Sequence, residues 1–469
     1  MIERLQTSSP HLSVCKLLKI ALTWLLFSIS GHAQVNKEAT QQMLIESLEW
    51  LVLAQEKQTI KDSIFKGEWS STMGLKNRFL YLGKAFPFRD SNCFTQANIF
   101  NALSEIYLAN KSLKQILPML ELAKSELLSY REGTDFNFWK ALSPNIPLSR
   151  RGPWPEAYLA HRPTNFKLKT RFINNAADIA NDADDTATGN LALHYYGEIF
   201  DEKVQIPTQN IFDSNLDGNR KNYHWYNFIH NIPRPSRAYM TWLAPEYQFK
   251  HWNFPWQVAH NLVFFLPGSS CFPRSYTRYV PWGANDVDAV VNCNVLNYLG
   301  KTGQLEGSFG KNGALNLLRH VIKKERWSRA GLYYPNRFFI HLSISKVFPY
   351  FEEELEPEII AIKKHLLRSQ KPDGSFESRR KVNKKDLVQS TIYATLAMLN
   401  LKEAGEDIPM VNIQKSIEFI ISQRNEENFW KGGVFFSGGT VVRNVLYFKS
   451  EAYTTALAAQ CLQKYLLLN

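Results

Sequence analysis

Apolar residues recur along the chain with the three- and four-residue spacing of amphipathic helices, and the helical stretches come in pairs. In the clearest pair, residues 362–370 lead through a glycine-containing turn to residues 386–399. Within the second stretch, Ile392, Leu396 and Leu399 lie four and three positions apart, as a single buried helix face requires. The pattern predicts two helices joined by a turn.

Similar pairs occupy both ends of the chain. The first leads from residues 44–55 through Gly67-Glu68-Trp69 to a helix that starts near Asp90. The last leads from residues 413–423 to a second helix over residues 451–462. Repeated helix pairs bury their apolar faces against neighbouring pairs. The second helix of each pair begins with acidic or small polar residues. We therefore expect the amino-terminal ends of these second helices to lie together at one mouth of a ring. The sequence predicts an all-α fold, an α/α toroid of inner and outer helices.

The amino terminus has the pattern of a secretory signal. Arg4, Lys16 and Lys19 precede an apolar run over residues 20–29, and small residues follow at Gly31 and Ala33. The apolar run is too short for a comfortable membrane span. We therefore predict a signal peptide over residues 1–33, a single toroid domain over residues 34–469, and export of the mature protein to the periplasm or the medium.

One stretch breaks the repeating theme. Residues 207–281 are rich in tryptophan, tyrosine, proline and histidine and show little helical periodicity. We interpret them as an aromatic-rich insertion with one helix over residues 256–266 that covers or shapes the mouth of the ring.

Composition narrows the classes of partner. The net charge of +12 is spread along the chain and accompanies no nucleic-acid-binding motif, so we expect no nucleic-acid partner. A basic surface suits an anionic glycan, a diphosphate or a membrane face, which leaves peripheral membrane contact open. The cysteines after residue 33 are widely separated and form no CxxC pair, as is typical of buried small residues. Neither a metal-ligand spacing nor a cofactor fingerprint stands out, so we expect no metal and no cofactor.

The most specific motif opens one of the second helices. Residues 182–187 read Asp-Ala-Asp-Asp-Thr-Ala. A single aspartate at a helix start is an ordinary N-cap, whereas three crowded carboxyl groups disfavour full ionisation. A matching start at Asp286 and Asp288 admits either a capping role or a second carboxylate site. Glycines at 197 and 300 follow the two apolar helices, where we expect C-caps.

These residues carry a resemblance to a known family. The hexamer at 182–187 reproduces the DxDDTA motif of class II terpene cyclases, the squalene–hopene cyclase group. Residues 370–376, Gln-Lys-Pro-Asp-Gly-Ser-Phe, resemble the QxxxGxW repeat of that group with Phe in place of Trp, and residues 67–69 match the end of the same repeat. The resemblance implies protonation-initiated cyclisation of a linear isoprenoid. It implies that Asp184 is the general acid for a terminal alkene or epoxide, with Asp182 and Asp185 beside it.

A carbocation formed in this way needs a dry pocket faced with aromatic rings. The substrate site is therefore expected to include Asp286 and Asp288 together with tryptophans from Trp154, Trp225, Trp242, Trp252, Trp256 and Trp282. The chain is shorter than the two-barrel triterpene cyclases, which favours a smaller linear terpenoid as the substrate.

The predicted export signal keeps two other classes of function open. Helical toroids also serve as exported glycan-active hydrolases or lyases, in which Asp184 and Asp288 would be the two carboxylates of glycoside cleavage. The chain is alternatively a non-catalytic binding toroid that retains the aspartates as helix caps. Fold alone does not separate these classes.

Overall fold

The computed structural model describes residues 36–75, 87–143, 159–165, 179–219, 236–243, 285–328, 330–378, 386–438 and 446–468. The predicted signal peptide and the predicted helix over residues 256–266 lie outside these ranges.

Helices dominate the described part of the chain. They are α1 (Lys37–Ala54), α2 (Cys93–Ala109), α3 (Ile116–Leu128), α4 (Ala183–Phe200), α5 (Asn210–Asp213), α6 (Ala289–Lys301), α7 (Lys311–Lys323), α8 (Phe339–Val347), α9 (Glu352–Ser369), α10 (Val388–Glu403), α11 (Met410–Ser422) and α12 (Glu451–Leu468). Two short 3₁₀ turns lie at Asp217–Asn219 and Phe348–Tyr350.

Six of these helices form a closed inner ring. Helix α2 packs on α4, α4 on α6, α6 on α8, α8 on α10, α10 on α12, and α12 returns to α2. Buried residues cover nearly the whole circumference of each inner helix, as expected of helices enclosed by neighbours on all sides. The predicted α/α toroid is therefore confirmed.

The outer helices pack against the inner ring from outside. Helix α1 lies against α12, α3 against α2, α7 against α6, and α11 against α10, while α9 contacts α7 and α10. Their buried residues recur at three- and four-residue spacing; α11, for example, buries Ile413, Ser416, Ile417 and Ile420. One apolar stripe faces the ring and the remaining surface faces solvent.

The starts of the inner helices lie at one mouth of the ring, as predicted. The side-chain amide of Asn336, just before α8, donates to Ser390 in the first turn of α10 at 2.9 Å. In the same way, Thr454 in the first turn of α12 donates to Gln389 in the first turn of α10 at 2.6 Å. First turns that contact one another around the ring gather the positive ends of several helix dipoles at this mouth.

The glutamine, glycine and aromatic residues of the repeat join one outer helix to the next. Gln370, at the end of α9, donates to the carbonyl of Asn412 in α11 at 2.7 Å. Gly374 has φ +82°, and an added Cβ would lie 2.2 Å from the carbonyl oxygen of Lys415, so only glycine fits there. Phe376 is fully buried. The QxxxGxF segment therefore stabilises the fold.

The connection that follows α1 makes the same kinds of contact, although its glutamine and glycine lie farther apart in the sequence than Gln370 and Gly374. Gln55 donates to the carbonyl of Met119 in α3 at 2.9 Å, and the indole of Trp69 donates to the carbonyl of Leu51 at 2.9 Å. Gly67 has φ +93° and its Cα faces the carbonyl of Leu122. A glutamine and an aromatic ring thus bracket a left-handed glycine in both turns.

A small antiparallel sheet joins the two ends of the described chain. Its strands are β1 (Ser71–Leu75), β2 (Phe88–Asp90), β7 (Val434–Gly438) and β8 (Leu446–Lys449), in the order β2-β1-β8-β7. The register of β1 with β8 places Met73 opposite Phe448. Two ribbons complete the strands: β3 (Arg131–Glu132) with β4 (Asp135–Phe136), and β5 (Ala141–Leu142) with β6 (Ala160–His161).

Several local expectations were wrong. Gly197 and Gly300 lie inside α4 and α6, which end at Phe200 and Lys301. Both glycines instead allow a neighbouring group to approach closely. A Cβ added at Gly197 would lie 2.8 Å from the carbonyl oxygen of Glu202, and a Cβ added at Gly300 would lie 2.6 Å from the Tyr350 ring.

Cysteines and membrane-spanning potential complete the description of the fold. Cys93, Cys293 and Cys461 are free and buried, as their isolation in the sequence suggests. Within the described ranges, the helices lack the length and apolar character that crossing a membrane requires.

Candidate active site

The two aspartate motifs lie side by side because one extended segment runs between them. The amide of Ala183 donates to the carbonyl of Thr241 at 2.7 Å, and the amide of Thr241 donates to the carbonyl of Asp286 at 2.9 Å. Asp182 and Trp242 form an antiparallel bridge in the same segment. This segment belongs to the predicted insertion, and it fixes the spacing between the starts of α4 and α6.

Asp182 is the N-cap of α4. Its Oδ1 accepts a hydrogen bond from the amide of Asp185 at 2.8 Å. Burial raises the pKa of Asp182 to about 6, although hydrogen bonds from Asp185 and Asp184 act in the opposite direction. Such bonds favour the charged form, so Asp182 is the member of the motif best able to carry a negative charge.

Asp184 is buried in the first turn of α4, with only 5% of its surface exposed. Its Oδ1 accepts a hydrogen bond from the side-chain amide of Asn294 on α6 at 2.5 Å. Burial and the neighbouring charge of Asp182 raise the pKa of Asp184 well above its usual range, against the effect of Asn294. This environment favours the protonated form of the carboxyl group.

Asp185 is a second buried, neutral carboxyl group. Burial, followed by the charges of Asp182 and Asp184, raises its pKa well above the usual range. Its Oδ1 is buried and has no hydrogen-bond partner among the residues that the structure describes. Cys93, the first residue of α2, interacts with this carboxyl group, and the buried thiol has a raised pKa of its own. The three carboxyl groups titrate as a coupled set in which Asp182 ionises first.

The second motif has a different role. Asp288 caps α6, because its Oδ1 accepts the amides of Val290 at 2.7 Å and Val291 at 3.2 Å. Its Oδ2 accepts the amides of Leu332 and Tyr333. Both oxygens are therefore occupied by backbone donors, and this geometry favours the capping interpretation of Asp288.

Asp286 is also fully buried. It accepts hydrogen bonds at 2.5 Å from the hydroxyl groups of Thr241 and Tyr333. These bonds hold the extended segment and the loop before α8 against the start of α6.

Aromatic rings converge at the same mouth of the ring. Phe94 in the first turn of α2 stacks on Phe435 of β7 with centroids 5.2 Å apart, and lies 5.9 Å from Tyr453 in the first turn of α12. Across the ring, Phe339 in the first turn of α8 stacks on Tyr334 at 4.7 Å and meets Tyr393 edge-on at 4.7 Å. The charge of Asp184 contributes to the raised pKa of the Tyr453 hydroxyl, so the acid lies near this cluster.

These rings do not belong to the predicted substrate site, which was expected to hold tryptophans. Of the predicted tryptophans, Trp154, Trp225, Trp252, Trp256 and Trp282 lie outside the described residues. Trp242 is buried beside the motif and packs edge-on against Tyr333 at 6.1 Å. The rings share one recognisable signal, since Phe94, Phe339 and Tyr453 each occupy the first turn of an inner helix.

Two other helix starts near the mouth do not use the acids that the sequence suggested, whereas Asp386 before α10 does accept the amide of Gln389 at 3.1 Å. The cap of α2 is Asn92, whose Oδ1 accepts the amide of Thr95 at 2.9 Å, while Asp90 accepts the amide of Thr164 at 2.9 Å. Ser450, and not Glu451, accepts the amide of Tyr453 at the start of α12. Among the described residues, there is no group of three or more acidic, histidine or cysteine side chains that could hold a metal ion.

Comparison with known proteins gives similarity in structure only. No family model matches the sequence, and no curated protein matches it. The structure resembles a variant of type II terpene cyclase MstE from Scytonema in complex with its substrate geranylgeranyl dihydroxybenzoate. The TM-score is 0.52 at 11% sequence identity, covering 92% of this chain and 99% of that chain. The apo form of MstE matches with a TM-score of 0.50 at 10% identity, covering 92% of this chain and 100% of that chain.

A second kind of enzyme shares the architecture. Cellobiose 2-epimerase from Spirochaeta thermophila DSM 6192 matches with a TM-score of 0.50 at 11% identity, over 94% of this chain and 100% of that chain. Identities this low establish the fold alone. The chain is thus an α/α toroid like that of type II terpene cyclases, and the solved structures named here are those of enzymes.

Proposed function

We propose that this protein is a class II terpene cyclase-like enzyme, in which Asp184 starts the cyclisation of a linear isoprenoid by protonating a terminal alkene or epoxide. The observation that carries the proposal is the burial of the Asp184 carboxyl group beside Asp182 in the first turn of α4, where burial and the charge of Asp182 raise its pKa well above the usual range. An alkene is a weak base, so its proton donor must be a neutral acid whose conjugate base is stabilised after transfer.

Each member of the motif has a separate task in this mechanism. Asp182 caps the helix and carries the negative charge that keeps Asp184 from ionising in the resting enzyme. Asn294 binds Oδ1 of Asp184, so the acidic hydrogen lies on the other oxygen, and the amide stabilises the carboxylate that remains after proton transfer. Asn294 is a positioning residue because it acts through Asp184.

The surroundings suit a reaction through carbocations. Phe94, Tyr453 and their neighbouring rings exclude water from the mouth of the ring, and the faces of aromatic rings stabilise positive charge. No cofactor is required, because the acid supplies the proton and the alkenes supply the electrons. The substrate class is a small hydrophobic isoprenoid.

An exported glycan-active toroid is the second candidate. The polar side chains of Asn98 and Asn294 remain half-buried on otherwise buried inner helices, which favours a polar ligand more than an isoprenoid. Against it, Asp288 has both oxygens occupied by backbone amides and is poorly placed to act as the second carboxylate of glycoside cleavage. A non-catalytic binding toroid would leave the raised pKa of Asp184 without a use.

Localisation is part of the proposal. If residues 1–33 direct export, the substrate must be an isoprenoid available outside the cytosol, such as one held in a membrane. Peripheral membrane contact would then give the enzyme access to that substrate.

The test compares the mature protein with the variant Asp184→Asn. Both are incubated in deuterated buffer with linear isoprenoid alcohols and diphosphates, and products are separated by gas chromatography with mass detection. The wild type is expected to yield a cyclic isomer that carries one deuterium, and Asp184→Asn is expected to yield none. Asp201→Asn is the matched control, because Asp201 is the exposed C-cap of the same helix. A cyclic product from Asp184→Asn would refute the role of the acid, and turnover of oligosaccharides alone would favour the glycan class.

A further inference from the structure

The inner ring contains a second carboxyl group in an environment opposite to that of Asp184. Glu105 lies near the end of α2, at the carboxyl-terminal mouth of the ring. Its Oε1 accepts a hydrogen bond from the Tyr195 hydroxyl at 3.2 Å, and its Oε2 accepts one from the Gln460 amide. Lys346 of α8 places Nζ 3.9 Å from Oε1. Since α2 and α8 lie on opposite sides of the ring, this ion pair crosses the interior.

The position of Glu105 relative to Asp184 follows from α4. Tyr195, which contacts Glu105, lies three helical turns after Asp184 on the same face of that helix. At a rise of 1.5 Å per residue, the two levels are separated by about 16 Å along the ring axis. A chain of several isoprene units is needed to span this separation.

Two asparagine side chains between the two levels keep part of their surface exposed. Asn98 lies two turns before Glu105 on the same face of α2 and is half-buried, and Asn294 beside Asp184 is also half-buried. Both belong to helices that are otherwise almost fully buried along this length. A substrate path along the axis, between the level of Asp184 and the level of Glu105, would account for this remaining exposure.

The charges around Glu105 keep it ionised. Burial acts to raise its pKa, but Lys346, Lys464 and Lys301, together with the Tyr195 hydroxyl, hold the pKa of Glu105 below its usual value. Tyr350 also lies close enough for its pKa to be raised, to about 12, in part by the charge of Glu105. A carboxyl group of raised pKa at one level of the ring and one of lowered pKa at the other is the division expected of an acid and a base.

On the basis of the cyclase function above, we propose that Glu105 is the base that ends the reaction, so that the substrate extends along the ring axis from Asp184 to Glu105. Asp184 transfers its proton to the terminal alkene and leaves a carbocation. Internal alkenes then attack in turn, forming carbon–carbon bonds and moving the positive charge along the chain. The final cation loses a proton from the adjacent carbon to Glu105, and the electrons of that C–H bond form the product alkene. Glu105 releases the proton to solvent and Asp184 takes one up, so the net reaction is an isomerisation.

A purely structural role makes a different prediction. If Glu105 only links α2 to α8, then removing either partner of the cross-ring pair should have the same effect. If Glu105 is the base, Lys346→Met should keep the wild-type product. It should also move the acidic limb of the rate profile to higher pH, because Lys346 lowers the pKa of Glu105.

The experiment compares the wild type, Glu105→Gln, Glu105→Asp, Lys346→Met and the matched control Glu403→Gln, a rim carboxylate that pairs with Lys464 at the same mouth. Each is incubated with the isoprenoid that the wild type cyclises, and both substrate loss and product profile are measured. Glu105→Gln is expected to form the normal product about a hundredfold more slowly. It should still consume substrate with deuterium uptake and release hydrated or partly cyclised products. Glu105→Asp should partly restore the normal product.

The outcomes separate this proposal from the function on which it rests. An unchanged product profile in Glu105→Gln, with cyclisation intact in the wild type, would overturn the role of Glu105 and leave Asp184 as the acid. Loss of the normal product in both Glu105→Gln and Lys346→Met would also overturn it in favour of the structural link. Absence of cyclisation in the wild type would remove the proposed function and the base together.

Discussion

The buried ion pair between Lys140 and Glu126 permits a quantitative prediction. Nζ of Lys140 lies 2.5 Å from Oε2 of Glu126, and the two side chains are only 5% and 3% exposed. The Tyr130 hydroxyl donates to the other oxygen of Glu126 at 3.0 Å, and the Phe65 ring lies 3.3 Å from the ammonium group. Replacing Lys140 with methionine keeps most of the volume and leaves Glu126 buried without its cation.

The expected cost of Lys140→Met at pH 7 is about 3–5 kcal/mol in the free energy of unfolding, because Glu126 loses its cation and must stay buried either charged and unpaired or with a proton taken up. Burial already raises the pKa of Glu126 to about 7, even though Lys140 lowers it. A carboxyl group whose pKa is raised on folding costs stability as the pH rises toward that raised pKa. The unfolding free energy of the wild type therefore stops falling, as far as Glu126 is concerned, above pH 7. Without Lys140 the pKa is higher still, so each further pH unit should add about 1.4 kcal/mol to the deficit of the variant.

The assay is urea-induced unfolding at pH 7 and pH 9, with Lys124→Met as the control. Lys124 and Glu202 form a pair with the same separation of 2.5 Å, but their side chains are 27% and 49% exposed. We expect the control to lose less than about 1 kcal/mol. The reasoning would be refuted if Lys140→Met cost no more than the control, or if its cost were the same at both pH values.

Three further predictions follow from the site and the fold. Asn294→Leu removes the hydrogen bond to Asp184 and raises the pKa of that acid. Turnover of the isoprenoid should therefore fall by about tenfold to a hundredfold, while the free energy of unfolding stays within about 2 kcal/mol of the wild type. Unchanged turnover would contradict the positioning role. Gly374→Ala should lower the free energy of unfolding in urea by more than about 3 kcal/mol, because the added Cβ would lie 2.2 Å from a carbonyl oxygen. Gly405 has a similar φ of +88° but no atom within 4 Å of an added Cβ, so Gly405→Ala should cost about 1 kcal/mol. Equal losses at the two glycines would show that the contact with Lys415 is unimportant. Finally, burial raises the pKa of Asp90 to about 7, so the stability that its protonated form provides is complete below pH 4 and is lost as the pH rises through 7. Unfolding free energy should therefore fall by about 4 kcal/mol between pH 4 and pH 8 from this group alone, and a rise over that interval would contradict the assignment.

Much of the architecture could be predicted from local patterns. The helix over residues 386–399 was recognised from the spacing of Ile392, Leu396 and Leu399, and the structure has α10 at Val388–Glu403. The aspartates at 182 and 288 were recognised as helix starts, and both are N-caps. Helix periodicity and capping depend on residues within a few positions of one another, so a sequence displays them directly.

The local patterns were misleading at two glycines. Gly197 and Gly300 have the appearance of C-caps, yet Gly197 allows close approach of the nearby Glu202, and Gly300 allows close approach of the distant Tyr350 ring. Glycine satisfies either requirement, because both call for the absence of a Cβ atom. The choice between the two depends on which neighbour the fold brings to that position.

For this protein, the sequence by itself determined the helical repeats and the cluster of three carboxyl groups, because each arises from residues close together in the chain. The toroid could be predicted because the helix pairs repeat, although its closure joins residues far apart. Tertiary structure alone decided which carboxyl group has which task. Asn294 meets Asp184 across two inner helices, backbone amides of a distant loop occupy Asp288, and Lys346 reaches Glu105 across the ring. The protonation state of a carboxyl group depends on burial and on charges within a few ångströms, and only the closed ring brings those groups together.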